Sequence, residues 1–163
     1  MCCEGEKLSY VFDNNAFSLL FHSFYPRRFP SLWRQFDLLV EDGLITSTRE
    51  VRRELLDDRS ASLRQWAHDN AEIFPSPDGD EGAFVGEIFS VPHFRQLLSR
   101  RSILKGGRNA DPFVVARAQS LNATVVTLEG EPPNGAKIPN VCRHFGVACG
   151  SLEDFMEAED WVF

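Results

Sequence analysis

Two short apolar segments, each running straight into a polar or acidic residue, constrain this chain most. Leu8–Phe12 stops at Asp13-Asn14-Asn15, and Ala123–Leu128 stops at Glu129. Strands without polar alternation are covered on both faces, as in a parallel sheet. Asp and Asn end such runs because their side chains bond nearby backbone amides and favour turns and helix caps. Between the two segments the spacing is helical. Ala16–Phe24 lines up Phe17, Leu20, Phe21 and Phe24 and ends before Pro26. Leu32–Val40 repeats the pattern and closes at Gly43. Leu44-Ile45 reads as a very short strand, leading into three candidate caps, Thr46-Ser47-Thr48, for a helix over Arg49–Leu56. Further helices run through Leu63, Trp66 and Ala67, over Phe84–Phe89 and over His93–Ser99. Asn109–Leu121 is the clearest helix, with Asp111 as cap and Pro112 in the first turn. A helix over Pro139–Phe145, a short strand Val147–Cys149 and a capped helix Ser151–Glu159 complete the chain.

Short buried strands alternating with helices predict an α/β fold: a central, mostly parallel β-sheet flanked by helices on both faces. The 163 residues suit a single domain over 1–163, with 1–7 expected to be flexible. Apolar residues at 43% and charged residues at 25% exclude wholesale disorder, collagen and coiled coil. No apolar run approaches the roughly 20 residues that cross a bilayer. The start of the chain also lacks the basic and apolar regions of a secretory signal. The expected location is therefore cytoplasmic, with no membrane partner. A net charge of −7 argues against general polyanion binding, so any nucleic-acid contact must be a local patch. Cys2, Cys3, Cys142 and Cys149 have no framework spacing and read as reduced thiols. Cys142, His144 and Cys149 lack the paired spacing of a structural zinc site, and no fourth ligand is evident.

In open parallel sheets, ligands bind outside the carboxyl ends of the strands. Asp13 and Glu129 share that rim if their strands are parallel neighbours, and Asp111 opens the helix that feeds the second strand. Glu50 and Glu54 lie one turn apart on a helix, interleaved with Arg49, Arg52 and Arg53 in the manner of a solvated face. Each acid also has a plainer reading: Asp13 as strand terminator, Asp111 as cap, Glu129 as loop acid. Gathered together they would raise one another's pKa, and a divalent cation with oxygen ligands, Mg²⁺ or Mn²⁺, is the natural partner. Arg95, Arg100, Arg101, Lys105 and Arg108 precede Asp111 around Gly106-Gly107, and Arg49, Arg52 and Arg53 form a second basic patch. The four histidines are scattered and read as surface or core residues.

The order of these motifs is more specific than any one of them. Tyr10–Asn15, Ser47–Leu55, Ala110–Ala118, Ala123–Glu129 and Lys137–Cys142 together resemble the PIN-domain nucleases. Within them the chain looks most like a toxin-like, VapC-like bacterial subgroup, which Trp33 and Gln65-Trp66-Ala67 also fit. The resemblance spans about Leu8 to Phe155. It implies a metal-dependent endoribonuclease that hydrolyses RNA phosphodiester bonds, the toxin of a toxin–antitoxin pair. Asp13, Glu54, Asp111 and Glu129 would be the catalytic, metal-holding acids, with Asn15 and Thr127 supporting them. Glu54 is preferred to Glu50 because Glu-Leu follows Ser47 at the family distance. Arg100, Arg101, Lys105 and Arg108 would contact RNA. The implied cofactor is Mg²⁺ or Mn²⁺, and the implied partners are RNA, a cognate antitoxin protein and a second copy in a homodimer. The 14 phenylalanines would supply the apolar dimer interface. Asn14 stands where the family carries threonine or serine, and Glu129 where it often carries aspartate. The competing reading is a non-catalytic PIN-fold module that binds RNA or protein. A phosphate-sensing receiver-type domain needs paired acids after the first strand, and Asp13-Asn14 supplies one.

Overall fold

Every residue of Tyr10–Phe12 is buried, so this strand needs partners on both edges and cover on both faces. The computed structural model of the chain, which describes residues 7–98 and 110–163, provides both. Strands β1 (Tyr10–Phe12), β2 (Ile45–Thr46), β3 (Thr124–Val126) and β4 (Cys149–Gly150) form one sheet in the order β2-β1-β3-β4. All three pairings are parallel, with Val11 opposite both Thr46 and Val125. The fold is α/β, as the buried apolar runs require. The expected flexible residues up to Glu6, Cys2, Cys3, Asn109 and the basic residues Arg100, Arg101, Lys105 and Arg108 lie outside the described residues.

Helices α1 (Asn14–Ser23) and α2 (Pro30–Glu41) connect β1 to β2. The chain then passes through α3 (Arg49–Leu55), α4 (Ala61–Asp69), α5 (Gly79–Ser90) and α6 (Asp111–Leu121) to β3. Helix α7 (Ile138–Phe145) joins β3 to β4, and α8 (Leu152–Ala158) follows. Right-handed crossovers in opposite directions from the sheet centre put helices on both faces. Accordingly, α1 packs with α3 and α4, while α6 packs with α5 and α7.

Three helices end alike. Gly43, Asn122 and Gly146 take left-handed backbone conformations after α2, α6 and α7 (φ 72°, 52° and 68°). The next amides, of Leu44, Ala123 and Val147, bond to the carbonyls of Leu39, Ala118 and Cys142 at 2.9 Å each. This closure satisfies carbonyls at the helix end. It also explains why the edge strands start later than the apolar runs suggest. The amides of Leu44 and Val147 are spent on helix ends, so β2 begins at Ile45 and β4 at Cys149 rather than at Leu44 and Val147. His93–Ser99 was expected as a helix, and the described part is a 3₁₀ helix over Pro92–Leu98.

The three hydroxyls of Thr46-Ser47-Thr48 take three different roles. Thr46 donates to the Ile73 carbonyl (3.0 Å) and Ser47 to the Phe12 carbonyl (2.6 Å). Thr48 alone caps α3, accepting from the Val51 amide at 3.2 Å. Phe12 is the hinge of the aromatic core, its ring 5.2 Å from that of Phe17, 6.2 Å from Phe36 and 5.1 Å from Phe155. Of the 14 phenylalanines, Phe12, Phe17, Phe21, Phe36, Phe74, Phe84, Phe94 and Phe155 are buried, and Phe24, Phe89, Phe113 and Phe145 pack partly buried against them. The phenylalanines therefore build this chain's own core, which removes the composition argument for an apolar dimer interface.

Truncating Phe12→Ala removes a ring that contacts α1, α2 and α8 together. Deleting a buried aromatic costs about 3–5 kcal/mol, and each kcal/mol lowers the melting temperature of a domain this size by about 2–4 °C. Urea and thermal unfolding of the variant are expected to show losses of that size.

Asp58 ties α1 to the start of α4. It accepts from Ser18 Oγ (2.9 Å) and the Ser60 amide (2.7 Å), and its Oδ1 lies 2.8 Å from His22 Nε2. Burial alone would raise its carboxyl, but the Ser60 amide, His22 and Ser18 outweigh burial and hold it below the ordinary value. A carboxylate depressed in the folded state stabilises fully above its unfolded pKa of about 3.9 and loses that contribution as pH falls through the folded value. The stability gap between the native protein and Asp58→Asn, measured by urea unfolding, should be larger above about pH 4 than below it, shrinking as the pH falls through the folded value.

Candidate metal centre

The sheet order reverses between β1 and β3, because the chain leaves β1 toward β2 and leaves β3 toward β4. The crevice at the carboxyl end of such a pair is the usual ligand position of an open parallel sheet. Asp13 is the first residue beyond β1, Thr127 the first beyond β3, and Asp111 the first residue of α6. One carboxylate oxygen from each of Asp13, Asp111 and Glu129 lies within 4.8 Å of the others. Asp13 is buried at 1% exposure, and the other two are half-buried.

Asp13 is held on three sides. Its backbone amide donates to Val126 at 2.9 Å, continuing the β1–β3 ladder past the strand end. Its Oδ1 accepts from the Asn14 amide at 2.8 Å, which makes it the cap of α1, and its Oδ2 accepts from the Thr127 hydroxyl at 3.1 Å. Even so, its carboxyl stands well above the ordinary range. Burial is the main cause, the charge of Asp111 adds to it, the Asn14 amide opposes it, and Glu129 and Glu54 add further. The expected mutual repulsion of these acids is thus a property of the folded chain.

Thr127 is the hub of the polar network. Its oxygen also accepts from the Glu129 amide (3.2 Å) and lies 3.4 Å from Asn15, whose Oδ1 accepts from the Leu128 amide at 3.0 Å. Asn15 therefore pins the backbone that carries Thr127 and Glu129 beside Asp13. One further support comes from the backbone. Glu129 Oε2 accepts from the Ile138 amide at 2.9 Å, at the N-terminus of α7, where the helix dipole favours negative charge. A backbone donor leaves no residue-type signature; the only trace was the helix start beside Pro139.

Asp111 departs from its expected role as cap. The cap position is Ala110, with no side-chain cap bond, and Asp111 is the first helical residue. It offers a carboxylate oxygen to the Asp13–Glu129 group instead. Glu54 lies outside the three-acid group, but its charge reaches Asp13. Glu50 is different: it is buried, and its Oε1 pairs with Arg49 at 3.0 Å. Its Oε2 is buried without a hydrogen-bond partner among the described residues. The second basic patch is largely structural, since Arg49 is occupied by Glu50 and Arg52 donates to the Ala67 carbonyl at 2.9 Å. Arg95 is exposed and donates to the Phe89 carbonyl.

A cluster of carboxylate oxygens is a hard donor set of the kind that takes Mg²⁺ or Mn²⁺. Burial and like charge disfavour an ionised Asp13, and a divalent cation would reverse that balance, so these residues fit such an ion. A cavity of about 430 Å³ lined by Thr127, Leu128, Glu129, Cys142 and Cys149 shares Glu129 with the cluster. The His144 ring lies edge-on to Phe94 at 5.2 Å.

Among solved structures, the chain is similar to VapBC2 from Rickettsia felis, crystallised bound to a DNA fragment from their promoter. That match has 15% identity and a TM-score of 0.48, covering 88% of this chain and 98% of that one. No curated protein matches the sequence. A family described as a domain of unknown function (DUF4411) matches residues 10–163, which is nearly the whole fold and all three clustered acids. The chain belongs to that family.

Proposed function

We propose that this chain is a PIN-type, metal-dependent endoribonuclease. The observation that carries the reading is the convergence of Asp13, Asp111 and Glu129, from two strand ends and a helix start, at the sheet's switch point. In this reading those three residues and Glu54 hold one or two Mg²⁺ or Mn²⁺ ions. Such an ion, when bound, supplies a water of lowered pKa and offsets negative charge on the leaving oxygen of a phosphodiester. The chain's own contribution is to fix the donors beforehand. The Asn14 amide and Thr127 hydroxyl stop the Asp13 carboxylate from rotating, and the Ile138 amide aims Glu129. Asn15 keeps the two strand ends in register. Arg100, Arg101, Lys105 and Arg108, just before Asp111 in sequence, are proposed to draw the RNA phosphates in.

The motif order of the toxin-like PIN subgroup supports a place in a toxin–antitoxin pair, with an antitoxin protein that blocks the acidic crevice. A homodimer and a cytoplasmic location belong to the same proposal. No helix among the described residues is long and apolar enough to cross a membrane.

Purified protein incubated with a mixed RNA pool is expected to cleave with Mg²⁺ or Mn²⁺ and to stop with EDTA. Asp13→Asn and Asp111→Asn should each fold normally by circular dichroism and lose cleavage by more than the roughly 10–100-fold that outer-sphere partners of a metal cost. Near-normal cleavage by either well-folded variant would sink the assignment. If the native protein binds neither Mn²⁺ nor RNA-cleaving activity can be recovered from it, the interaction-module reading takes its place.

The same substitution reports on repulsion. In EDTA at neutral pH, Asp13→Asn should melt above the native protein, because asparagine keeps an oxygen for the Asn14 amide while removing a buried charge that Asp111 opposes. The gain should shrink as pH falls, since a carboxyl raised in the folded state no longer destabilises it once protonated. A lower melting temperature at neutral pH would contradict this account.

A further inference from the structure

Phe29 and Phe163 are the phenylalanines that the aromatic core does not take in. Phe29 lies in the corner 24–29, which joins α1 to α2. Tyr25 and Phe29 in this corner are 59% and 36% exposed, and Leu38 on α2 is 57% exposed. Large apolar side chains gathered in this way mark a binding face rather than ordinary surface. The corner is held in shape by its own backbone. The Arg28 and Phe29 amides both bond the Tyr25 carbonyl, at 2.9 and 3.0 Å, and the Trp33 amide bonds the Phe29 carbonyl at 3.2 Å. The Phe24 and Phe29 rings meet edge-on at 5.4 Å. Arg27 and Arg28 are exposed here. Arg49, Arg117 and Arg143 each pair with a carboxylate, but Arg27 and Arg28 pair with none among the described residues.

Beside the corner lies a groove of opposite character. Phe21, Trp33 and Trp66, from α1, α2 and α4, line a cavity of about 650 Å³ to which Pro26 of the corner also contributes. The Phe21 ring stands 4.6 Å from that of Trp33 and 5.5 Å from that of Trp66. Asp37 and Asp69 complete the lining, both exposed. Asp69 accepts from Gln65 at 2.8 Å and lies 3.3 Å from His68 Nδ1. Asp37 pairs with no cation among the described residues, and partial burial and the charge of Glu41 raise its carboxyl. A docked cation would reverse that balance. Trp33 makes corner and groove one unit, because its ring lines the groove while its N–H donates to the Phe24 carbonyl at 2.6 Å.

We propose that this face joins two copies of the chain, the corner of each copy seated in the aromatic groove of the other. A two-fold contact sets residue i against j and j against i. A surface that carries a basic, apolar corner beside an acidic, aromatic groove is therefore its own complement. Arg27 and Arg28 of one copy meet Asp37 and Asp69 of the other, where guanidinium groups both pair with carboxylates and favour indole faces. Tyr25 and Phe29 bring the apolar surface that such contacts place at their centre. A corner already ordered by backbone bonds loses little further freedom on docking. RNA is the poorer occupant, since its phosphates would meet Asp37 and Asp69 beside the arginines. The ten residues of α1, about 15 Å of helix, separate the corner from Asp13, so the contact is distinct from the acidic crevice. The proposal names the face of the homodimer put forward above and rests on that reading for the copy number, not for the metal chemistry.

The test uses the full chain in EDTA and without RNA, by sedimentation velocity and light scattering over a concentration series. The native chain is expected to dimerise. Two double variants reverse one side each: Arg27→Glu with Arg28→Glu, and Asp37→Arg with Asp69→Arg. All four positions are exposed, and circular dichroism checks that each variant folds. Each variant alone should dimerise at least about 10-fold more weakly, the lower end for close interfacial charge pairs. An equimolar mixture of the two should form a dimer again, because every corner then meets a groove of opposite charge. A native chain that stays monomeric would overturn both the homodimer and this face, leaving metal-dependent cleavage to its own assay. A native dimer that either variant leaves intact would keep the homodimer and overturn this face. Two weakened variants that fail to pair on mixing would overturn the corner-in-groove contact. A monomer whose RNA affinity falls in Arg27→Glu with Arg28→Glu would give the corner to RNA and equally overturn the proposal.

Discussion

A carboxylate with 1% exposure at the end of the central strand is the feature around which the rest is arranged. Asp13 extends the β1–β3 ladder with its amide and caps α1 with one oxygen, so its position is set by the sheet before any chemistry is considered. Burying such a group disfavours its charged form. The surrounding sequence responds with polar contacts that are backbone or hydroxyl rather than cationic: the Asn14 amide and the Thr127 hydroxyl reach Asp13 itself. Ser47 meanwhile ties the Phe12 carbonyl to the start of α3. Immediately before it, Phe12 sits against rings from three helices. A fully buried aromatic residue and a carboxylate held against its charge are thus neighbours in the chain, and the packing of the first helps to fix the second.

The same economy governs the strand starts. The left-handed residues Gly43, Asn122 and Gly146 each reverse the chain out of a helix and into the sheet within three residues. The three strands that follow these connections all run parallel to β1, so their carboxyl ends fall on a common rim with it, and that rim is where the acids gather.

Much of this was legible in the residues. The apolar runs ending at Asp13 and Glu129 carry the parallel sheet, and motif order singled out four acids, of which the fold brings Asp13, Asp111 and Glu129 within 4.8 Å and leaves Glu54 outside that group. What was not legible depends on contacts between distant residues or on backbone groups. One-turn spacing cannot say which of Glu50 and Glu54 looks inward; only packing against Arg49 separates them. An Asp-Pro pair at a helix start looks like a cap, yet its carboxylate is drawn to a cluster 98 positions back in sequence, at Asp13. Arg52 reads as surface until the Ala67 carbonyl claims it. The phenylalanines look like interface material until the size of the aromatic core is known. The Ile138 amide that supports Glu129 carries no side-chain signal at all.

The outer strands of the sheet, β2 and β4, are only two residues long each. An exposed edge recruits other chains in proportion to the row of unpaired amides and carbonyls it presents, and two residues present almost none. A second copy, or any partner that adds a strand, would find too short a template to continue the sheet. Among the described residues, neither edge of the sheet is thus a favourable place for association built strand to strand.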